Sequence, residues 1–456
     1  MAPDFSIIKK KIQLKLFSPT KIIMWGFALI ILVGALLLCL PISSRTGEFT
    51  NFFDCIFTAT SATCVTGLVI YDTYTYWSIF GQLVILLLIQ VGGMGFMTLG
   101  IFAVALTKKH IGLRERFTMK EAISAPTVGG IVRIARFIFF TTIFIEVIGA
   151  FFLSFKFIPQ FGFLRGVYFS IFHSISAFCN AGFDLMGIVK PFSSLVTYSD
   201  SVLINLVICS LIVVGGLGFF VWDDLRTHKF KFSHYKLHTK IVLIVTAALI
   251  VSAFISIFIF ESKHKTFDNM PFGQRVLISL FQSITPRTAG FNTIDLTSLS
   301  DESQLLTICL MLIGGSPSST AGGIKTTTLA VMLLSIVTEL RNRKHIECFK
   351  RRIDDQTVRH AYSVLTMYLF FFFISAVLIS AIDEVSVSKS IFETASAIGT
   401  VGLSLGITPQ LSTISHIILG LLMFTGRVGG LTILVAFAKA YPNTASQMPL
   451  ENITVG

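Results

Sequence analysis

Uncharged apolar runs of about 20 residues recur along the whole chain, and each is long enough to cross about 30 Å of hydrocarbon. Five runs carry no charged residue, and three more carry one internal charge each, which is Glu146, Lys325 or Arg427. We expect eight membrane-spanning helices, at 22–40, 79–106, 137–155, 201–222, 241–260, 304–338, 361–382 and 411–437. A hydrophobic content of 53% with only 13% charged residues excludes a soluble enzyme and a disordered chain.

Basic residues are distributed unevenly among the connections between these runs. The N-terminal segment, the connections 107–136, 223–240 and 340–360, and the C-terminal tail together hold twenty-five Lys and Arg residues, whereas the alternate connections hold nine. Because cytoplasmic connections are enriched in Lys and Arg, we expect both termini to lie in the cytoplasm. The formal net charge of +12 therefore resides mainly on one side of the membrane.

Four segments on the opposite side of the membrane are similar to one another. Each contains about ten moderately apolar residues and ends in a glycine followed by a large apolar residue, and they lie at 57–68, 172–183, 280–291 and 392–403. Their final glycines are about 112 residues apart, close to one quarter of the 456-residue chain. The sequence therefore predicts a fourfold tandem repeat of span, re-entrant segment and span.

The repeated segments are too short to span a bilayer and too apolar to prefer water. Irregular backbone at membrane depth is tolerated only where it lines a water-filled or protein-enclosed path, and four such stretches around one axis can aim carbonyl groups at a dehydrated cation. The candidate ion-binding residues, which are the predicted ligands of this cation, are Val65, Thr66, Gly67, Asn180, Ala181, Gly182, Thr288, Ala289, Gly290, Thr400, Val401 and Gly402. The sequence lacks a matching ring of four acidic residues, which favours carbonyl coordination of a monovalent ion over a carboxylate filter.

The second span of the third unit is interrupted between Leu312 and Thr326 by four glycines, one proline and several hydroxyl residues. Such a break belongs beside a cavity, and a guanidinium group midway through the last span, at Arg427, also tends to face one. We interpret both as a barrier to cations; a purely structural kink is the alternative. The candidate gate residues are Gly314, Gly315, Ser316, Pro317, Ser318, Ser319, Thr320, Ala321, Gly322, Gly323, Ile324, Lys325 and Arg427.

The motifs V-T-G-L, N-A-G-F, T-A-G-F and T-V-G-L, together with the broken third unit, resemble the Trk/Ktr/HKT superfamily of potassium transporters, most closely the membrane subunit of bacterial Ktr systems. The resemblance implies an all-α polytopic membrane protein whose four units of span, pore loop and span surround a pseudo-fourfold pore. It implies potassium uptake across the bacterial cell membrane, with potassium bound at the twelve candidate ion-binding residues, and no enzymatic activity. The units would be 22–112, 113–228, 229–345 with the gating loop 314–325, and 346–441, between cytoplasmic segments 1–21 and 442–456.

The resemblance also implies partners. The membrane protein would be a homodimer, regulated by a separate cytosolic ring of nucleotide-binding subunits of the KtrA type. We expect no covalently bound cofactor; potassium is the transported ion and sodium a candidate activator. The basic segments Lys108–Lys120 and Arg341–Arg352 are interpreted as solvated faces, as sites for anionic membrane lipid or as a dock for an acidic regulator, and no nucleic-acid partner is expected.

Two other functions are compatible with some of these features. A secondary transporter that couples potassium to sodium or protons would also use broken helices and intramembrane charges. An intramembrane hydrolase would use Ser316 or Ser318, although no histidine is placed at membrane depth beside them. We expect Glu146 to pair with a neighbouring polar group rather than to serve as a coupling or proton site. His173 is expected to support packing rather than to bind a metal.

Overall fold

Helices dominate the computed structural model, which describes residues 19–95, 120, 129–229, 231–268, 270–429 and 451. The helices of these residues are α1 (Pro19–Cys39), α2 (Phe52–Thr63), α3 (Thr73–Tyr76), α4 (Ile79–Met94), α5 (Ile131–Phe161), α6 (Phe163–Phe178), α7 (Val202–Leu217), α8 (Phe219–His228), α9 (Leu237–Ser262), α10 (Phe272–Ile284), α11 (Asp301–Leu312), α12 (Thr326–Leu340), α13 (Asp355–Asp383), α14 (Val387–Gly399) and α15 (Thr413–Val428). Two short antiparallel strands, β1 (Glu347–Cys348) and β2 (Arg351–Arg352), form a hairpin between α12 and α13.

One order of elements recurs four times along the chain. The long helices α1, α5, α9 and α13 are apolar enough to cross a membrane. Each precedes a short buried helix, which is α2, α6, α10 or α14, and then a second apolar helix. The described residues therefore have the mainly helical, multi-span character that the apolar runs predict.

The short helices form the centre of the core because their aromatic side chains pack inward. Phe57, Phe172, Phe281 and Phe392 occupy similar places on α2, α6, α10 and α14, and each is at most 2% exposed. The long helices instead expose apolar side chains on their outer faces, such as Phe144 on α5 and Val377 on α13. A helix with an exposed apolar face is suited to contact with lipid.

In the first, second and fourth units the second apolar helix ends before its predicted span does. Helix α4 ends at Met94 and α15 ends at Val428, and the next residues, Gly95 and Gly429, have φ angles of 76° and 90°, at which a residue with a Cβ would be strained. The predicted break in the third unit is confirmed, since α11 ends at Leu312 and α12 begins at Thr326. The later parts of two predicted spans, 96–106 and 430–437, lie outside the described residues, as do the basic residues 108–119 and most of both terminal segments.

The prediction of a continuous span over 201–222 was wrong. Helix α7 ends at Leu217, and α8 leaves it at an angle of 92° after Gly218, whose φ is 97°. A Cβ atom added at Gly218 would lie 2.6 Å from the carbonyl oxygen of Pro317, in the interrupted segment of the third unit. The bend is therefore set by a tertiary contact about 100 residues away, which a local pattern of glycines does not reveal.

Candidate functional site

Each candidate ion-binding segment begins shortly after a short helix, with a backbone conformation that L-residues rarely adopt. The φ angle of the first residue is 59° at Val65, 60° at Asn180, 66° at Thr288 and 52° at Thr400. The glycines that end the segments also have positive φ angles, of 94°, 69°, 82° and 93°. A positive φ is strained for the β-branched Val and Thr residues, and such strain concentrates at functional sites.

The four segments contact one another in cyclic order through their glycines. A Cβ atom added to each glycine would collide with the carbonyl oxygen of the middle residue of the next segment. The pairs are Gly67 with Ala181, Gly182 with Ala289, Gly290 with Val401, and Gly402 with Thr66. The added atom would lie 2.5 Å from the oxygen in the first pair and 2.8 Å in the second. The chain therefore brings all twelve candidate residues into one closed ring, which we call the carbonyl ring.

A hydroxyl residue near the end of each short helix supports this carbonyl ring from behind. These residues are Ser61, Ser176, Thr285 and Ser396. The Gly67 N–H donates to Ser61 Oγ at 3.1 Å, and the Gly402 N–H donates to Ser396 Oγ at 3.0 Å. The other two hydroxyls donate to the carbonyl of the phenylalanine that follows the glycine. Sequence reasoning missed these residues, although a hydroxyl residue recurs five or six positions before each glycine.

The four glycines of the carbonyl ring line one common cavity of about 540 Å³, which we call the outer mouth. Asp72, Asp184, Asp295 and Lys190 also line it, so the fixed carboxylates outnumber the amine. Burial, together with the charge of Asp72, raises the pKa of Asp184 to about 7. An excess of carboxylates at an entrance raises the local concentration of cations.

Asp72 fixes the geometry of the outer mouth by joining two units. Its Oδ1 accepts from the Thr75 N–H at 2.8 Å within the first unit, and its Oδ2 accepts from the Phe192 N–H at 2.9 Å in the second. A Cβ atom at Gly187 would collide with the Asp72 carboxylate, so a glycine is required at this close approach. This contact keeps the outer connections of the two units in register.

The interrupted segment of the third unit, residues 314–325, is tied to the second unit by main-chain hydrogen bonds. The Ser316 N–H donates to the Gly216 carbonyl at 3.0 Å, and the Phe219 N–H donates to the Ser318 carbonyl at 2.7 Å. A Cβ atom at Gly322 would collide with the side chain of Thr400, in the fourth ion-binding segment. The loop therefore lies directly against the carbonyl ring, where the sequence predicts a barrier.

Two cations inside the predicted spans hold this loop, and both bind main-chain carbonyls. Lys325 Nζ donates to the Ala321 carbonyl at 2.7 Å and to the Gly322 carbonyl at 3.2 Å. Arg427 Nη1 donates to the Thr320 carbonyl, while Nη2 donates to the carbonyls of Gly92 and Gly93 in the first unit. Arg427 therefore links the loop with the first and fourth units, and its charge and that of Lys325 lie beside the carbonyl ring.

The second ion-binding segment is supported by Glu146 and His173. Gln90 Nε2 donates to Glu146 Oε2 at 3.0 Å, and the Ser174 hydroxyl donates to the Glu146 main-chain carbonyl at 2.6 Å. The expected pairing of Glu146 with a neighbouring polar group is confirmed. His173 is fully buried; its Nδ1 donates to the Phe169 carbonyl at 2.8 Å, and its Nε2 accepts from the Leu185 N–H at 3.3 Å, which confirms its packing role.

Comparison with known proteins gives consistent results. The family model for the TrkH cation transport protein matches residues 5–448. The chain is 39% identical to the potassium/sodium uptake protein NtpJ of Enterococcus hirae, over 99% of this chain and 100% of that one. It is 41% identical to the Ktr system potassium uptake protein B of Bacillus subtilis, over 93% and 94% of the two chains. The crystal structure of the potassium transporter TrkH from Vibrio parahaemolyticus matches with a TM-score of 0.73 at 18% identity, over 93% of this chain and 86% of that one.

Proposed function

Because the chain belongs to the TrkH family of cation transport proteins, we propose that it is the membrane subunit of a bacterial potassium-uptake system. Potassium enters at the outer mouth, loses its hydration shell in the carbonyl ring and passes the loop 314–325 into the cytoplasm. The membrane potential supplies about 2.3 kcal/mol per elementary charge per 100 mV. The protein is a transporter with a channel-like pore, and no chemical step is required of its residues.

The observation that carries this proposal is the cyclic contact among the four glycine-ending segments around one cavity. Main-chain carbonyls that replace water around a monovalent cation must converge from several sides, and only a closed ring provides this. The short helices also direct the negative ends of their dipoles towards the centre of the bundle. Both features favour a cation and oppose an anion, which agrees with the potassium-uptake names of the relatives.

The gate of this pore consists of the loop 314–325 and Arg427. The loop contacts the fourth ion-binding segment through Gly322, and its carbonyl groups are occupied by Lys325 and Arg427. Because the guanidinium charge of Arg427 beside a cation path opposes permeation, we infer that this arrangement is the closed state of the gate. Opening requires the loop to leave these contacts.

Regulation comes from a separate partner, as the Ktr system named for one relative suggests. The membrane protein is a homodimer with one pore per protomer, and a cytosolic ring of nucleotide-binding subunits of the KtrA type acts on the gate from the cytoplasmic side. Both termini are cytoplasmic, and the basic segments Lys108–Lys120 and Arg341–Arg352 contact anionic lipid. Potassium is the transported ion, and sodium is an activator.

A second candidate function is a symporter that couples potassium to sodium or protons. The name of the NtpJ relative, a potassium/sodium uptake protein, is the observation that favours it. Reversal potentials in reconstituted vesicles separate the two functions. A potassium Nernst slope that ignores sodium and pH gradients supports the channel-like pore, and a slope that follows either gradient supports the symporter.

The carbonyl ring is tested by potassium and sodium uptake in a bacterium deficient in potassium uptake, with Gly290→Ser compared with wild type. At Gly290 the φ angle is 82°, and a Cβ atom would collide with the Val401 carbonyl. Strain of about 1–3 kcal/mol at one wall of the ring should reduce the preference for potassium over sodium. Gly420→Ser is the matched control, because a Cβ atom at Gly420 meets no atom within 4 Å. Unchanged ion preference in Gly290→Ser would contradict the proposal.

A further inference from the structure

A groove lies between the first half of α5 and the helix α8, away from the carbonyl ring. It measures about 880 Å³, and its wall combines three arginines, Arg133, Arg136 and Arg226, with side chains that are almost all apolar. On α5 the lining residues recur every three or four positions from 133 to 147, so they form one face of that helix. The arginines lie at the start of α5 and the apolar residues follow along it.

The arginines of this groove have no acidic partner within the described residues. The ion pairs found there join His228 to Asp224, Arg343 to Glu347 and Arg352 to Asp355. All three groove arginines are exposed. Arg226 Cζ lies 5.1 Å above the ring centroid of Phe137, which holds its guanidinium group over the groove. The open end of the groove is therefore a cluster of positive charge that an anion would complement.

The rest of the wall is suited to a hydrocarbon chain. Phe140, Phe144 and Val147 are 57%, 64% and 60% exposed, and they lie on a helix that is long and apolar enough to cross a membrane. From residue 137 to residue 147 the apolar strip runs about 15 Å along the helix axis, comparable with a large part of one acyl chain. An acidic peptide would pair with the arginines but would leave this strip without a partner.

We propose that this groove binds an anionic phospholipid of the cytoplasmic leaflet. Its phosphate group accepts hydrogen bonds from Arg133, Arg136 and Arg226, since guanidinium groups bind phosphate oxygens in pairs. One acyl chain lies along Phe144 and Val147. Basic pockets between membrane helices on the cytoplasmic side bind such headgroups, and the inference rests on the proposed cytoplasmic location of both termini, which puts the start of α5 on that side.

The site differs from the sites that the basic segments at 108–120 and 341–352 suggest, because it joins two structural elements. Arg226 lies two helical turns after Gly218, at which α8 meets the loop 314–325. A lipid bridging Arg133 and Arg226 would therefore hold α8 against α5. In this groove, membrane lipid would contact α8, the helix that is hydrogen-bonded to the loop 314–325.

The test is lipid binding to the full chain, purified and delipidated in detergent and measured by native mass spectrometry. Dioleoyl phosphatidylglycerol is titrated against dioleoyl phosphatidylcholine. We expect wild type to retain phosphatidylglycerol preferentially, and Arg133→Gln/Arg136→Gln/Arg226→Gln to bind it at least about tenfold more weakly. Lys156→Gln/Arg165→Gln/Lys389→Gln, which removes three exposed positive charges outside the groove and outside both basic segments, should bind as wild type does.

Further variants separate a lipid from another ligand and guard against misfolding. Phe144→Ser/Val147→Ser keeps all three arginines and should also weaken phosphatidylglycerol binding, whereas a site for inorganic phosphate or an acidic peptide would be unaffected by it. If the triple variant melts at a lower temperature than wild type, Arg226→Gln alone replaces it in the lipid-binding measurement. Equal binding of the two lipids, equal loss in the control triple variant, or phosphatidylglycerol binding that survives removal of the arginines would overturn the inference. Because the readout is lipid binding, none of these outcomes bears on potassium uptake.

Discussion

Removal of the Arg427 side chain should increase potassium uptake, because this side chain links the loop 314–325 to the first and fourth units. Arg427 donates to three main-chain carbonyls, of which one, at Thr320, belongs to the loop. A hydrogen bond from a charged donor contributes about 1.5–3 kcal/mol. Loss of the Thr320 contact in Arg427→Ala should therefore shift the equilibrium between closed and open loop by about 10- to 150-fold towards the open state.

The assay is initial rubidium uptake in cells that lack their own potassium-uptake systems, normalised to the amount of protein in the membrane. The rate should rise towards the ceiling set by a permanently open pore. Arg427→Lys distinguishes the effect of the bond to Thr320 from the effect of the positive charge beside the ring. It retains the charge and should increase uptake less than Arg427→Ala does. Arg359→Ala, an exposed arginine on α13, controls for the general loss of a positive charge. If Arg427→Ala reaches the membrane and takes up rubidium at the wild-type rate or more slowly, the gate assignment is wrong.

Two further predictions concern the outer mouth and the bend at Gly218. The pKa of Asp184 is raised to about 7 by burial and by the charge of Asp72, so its carboxylate becomes protonated as the external pH falls through that value. The KM for potassium should then increase severalfold in wild type but stay constant in Asp184→Asn, while Asp295→Asn should keep the pH dependence. Gly218→Ala should increase uptake, because the added Cβ atom would push against the Pro317 carbonyl and displace the loop. Gly406→Ala is the control, because Gly406 has a similar backbone, with a φ of 83°, but a Cβ atom added there meets no atom within 4 Å. Equal effects of the two alanine variants would show that backbone strain, and not the contact with the loop, is responsible.

The parts of this molecule that repeat were predictable from its sequence. The recurring glycines predicted which four segments the fold brings together, because a period near one quarter of the chain implies equivalent places in equivalent units. The break from Leu312 to Thr326 was also predictable, since glycine, proline and hydroxyl residues cannot continue an apolar helix. The roles of these residues in ion selection and gating stay predictions, as do the boundaries of the four units.

The features that depend on distant contacts were not predictable. The bend after Gly218 follows from the approach of Pro317 and Ser318, which no local pattern near Gly218 indicates. The positive φ angles of Val65 and Thr400 also contradict local preference, since β-branched residues avoid that region unless the surrounding fold imposes it. Similarly, an arginine within a span indicates a polar environment, but the identity of the carbonyl partners of Arg427 emerges only from the packing of three units.

The closure of the carbonyl ring within one polypeptide has a genetic consequence. In a pore assembled from four identical chains, every substitution in the coding sequence alters all four walls at once. Here Gly67, Gly182, Gly290 and Gly402 face four different neighbours and are encoded separately, so each wall can be altered alone or in any combination. A series of single, double and triple variants would therefore count how many intact walls ion selection needs, a titration that symmetry forbids in a homotetramer.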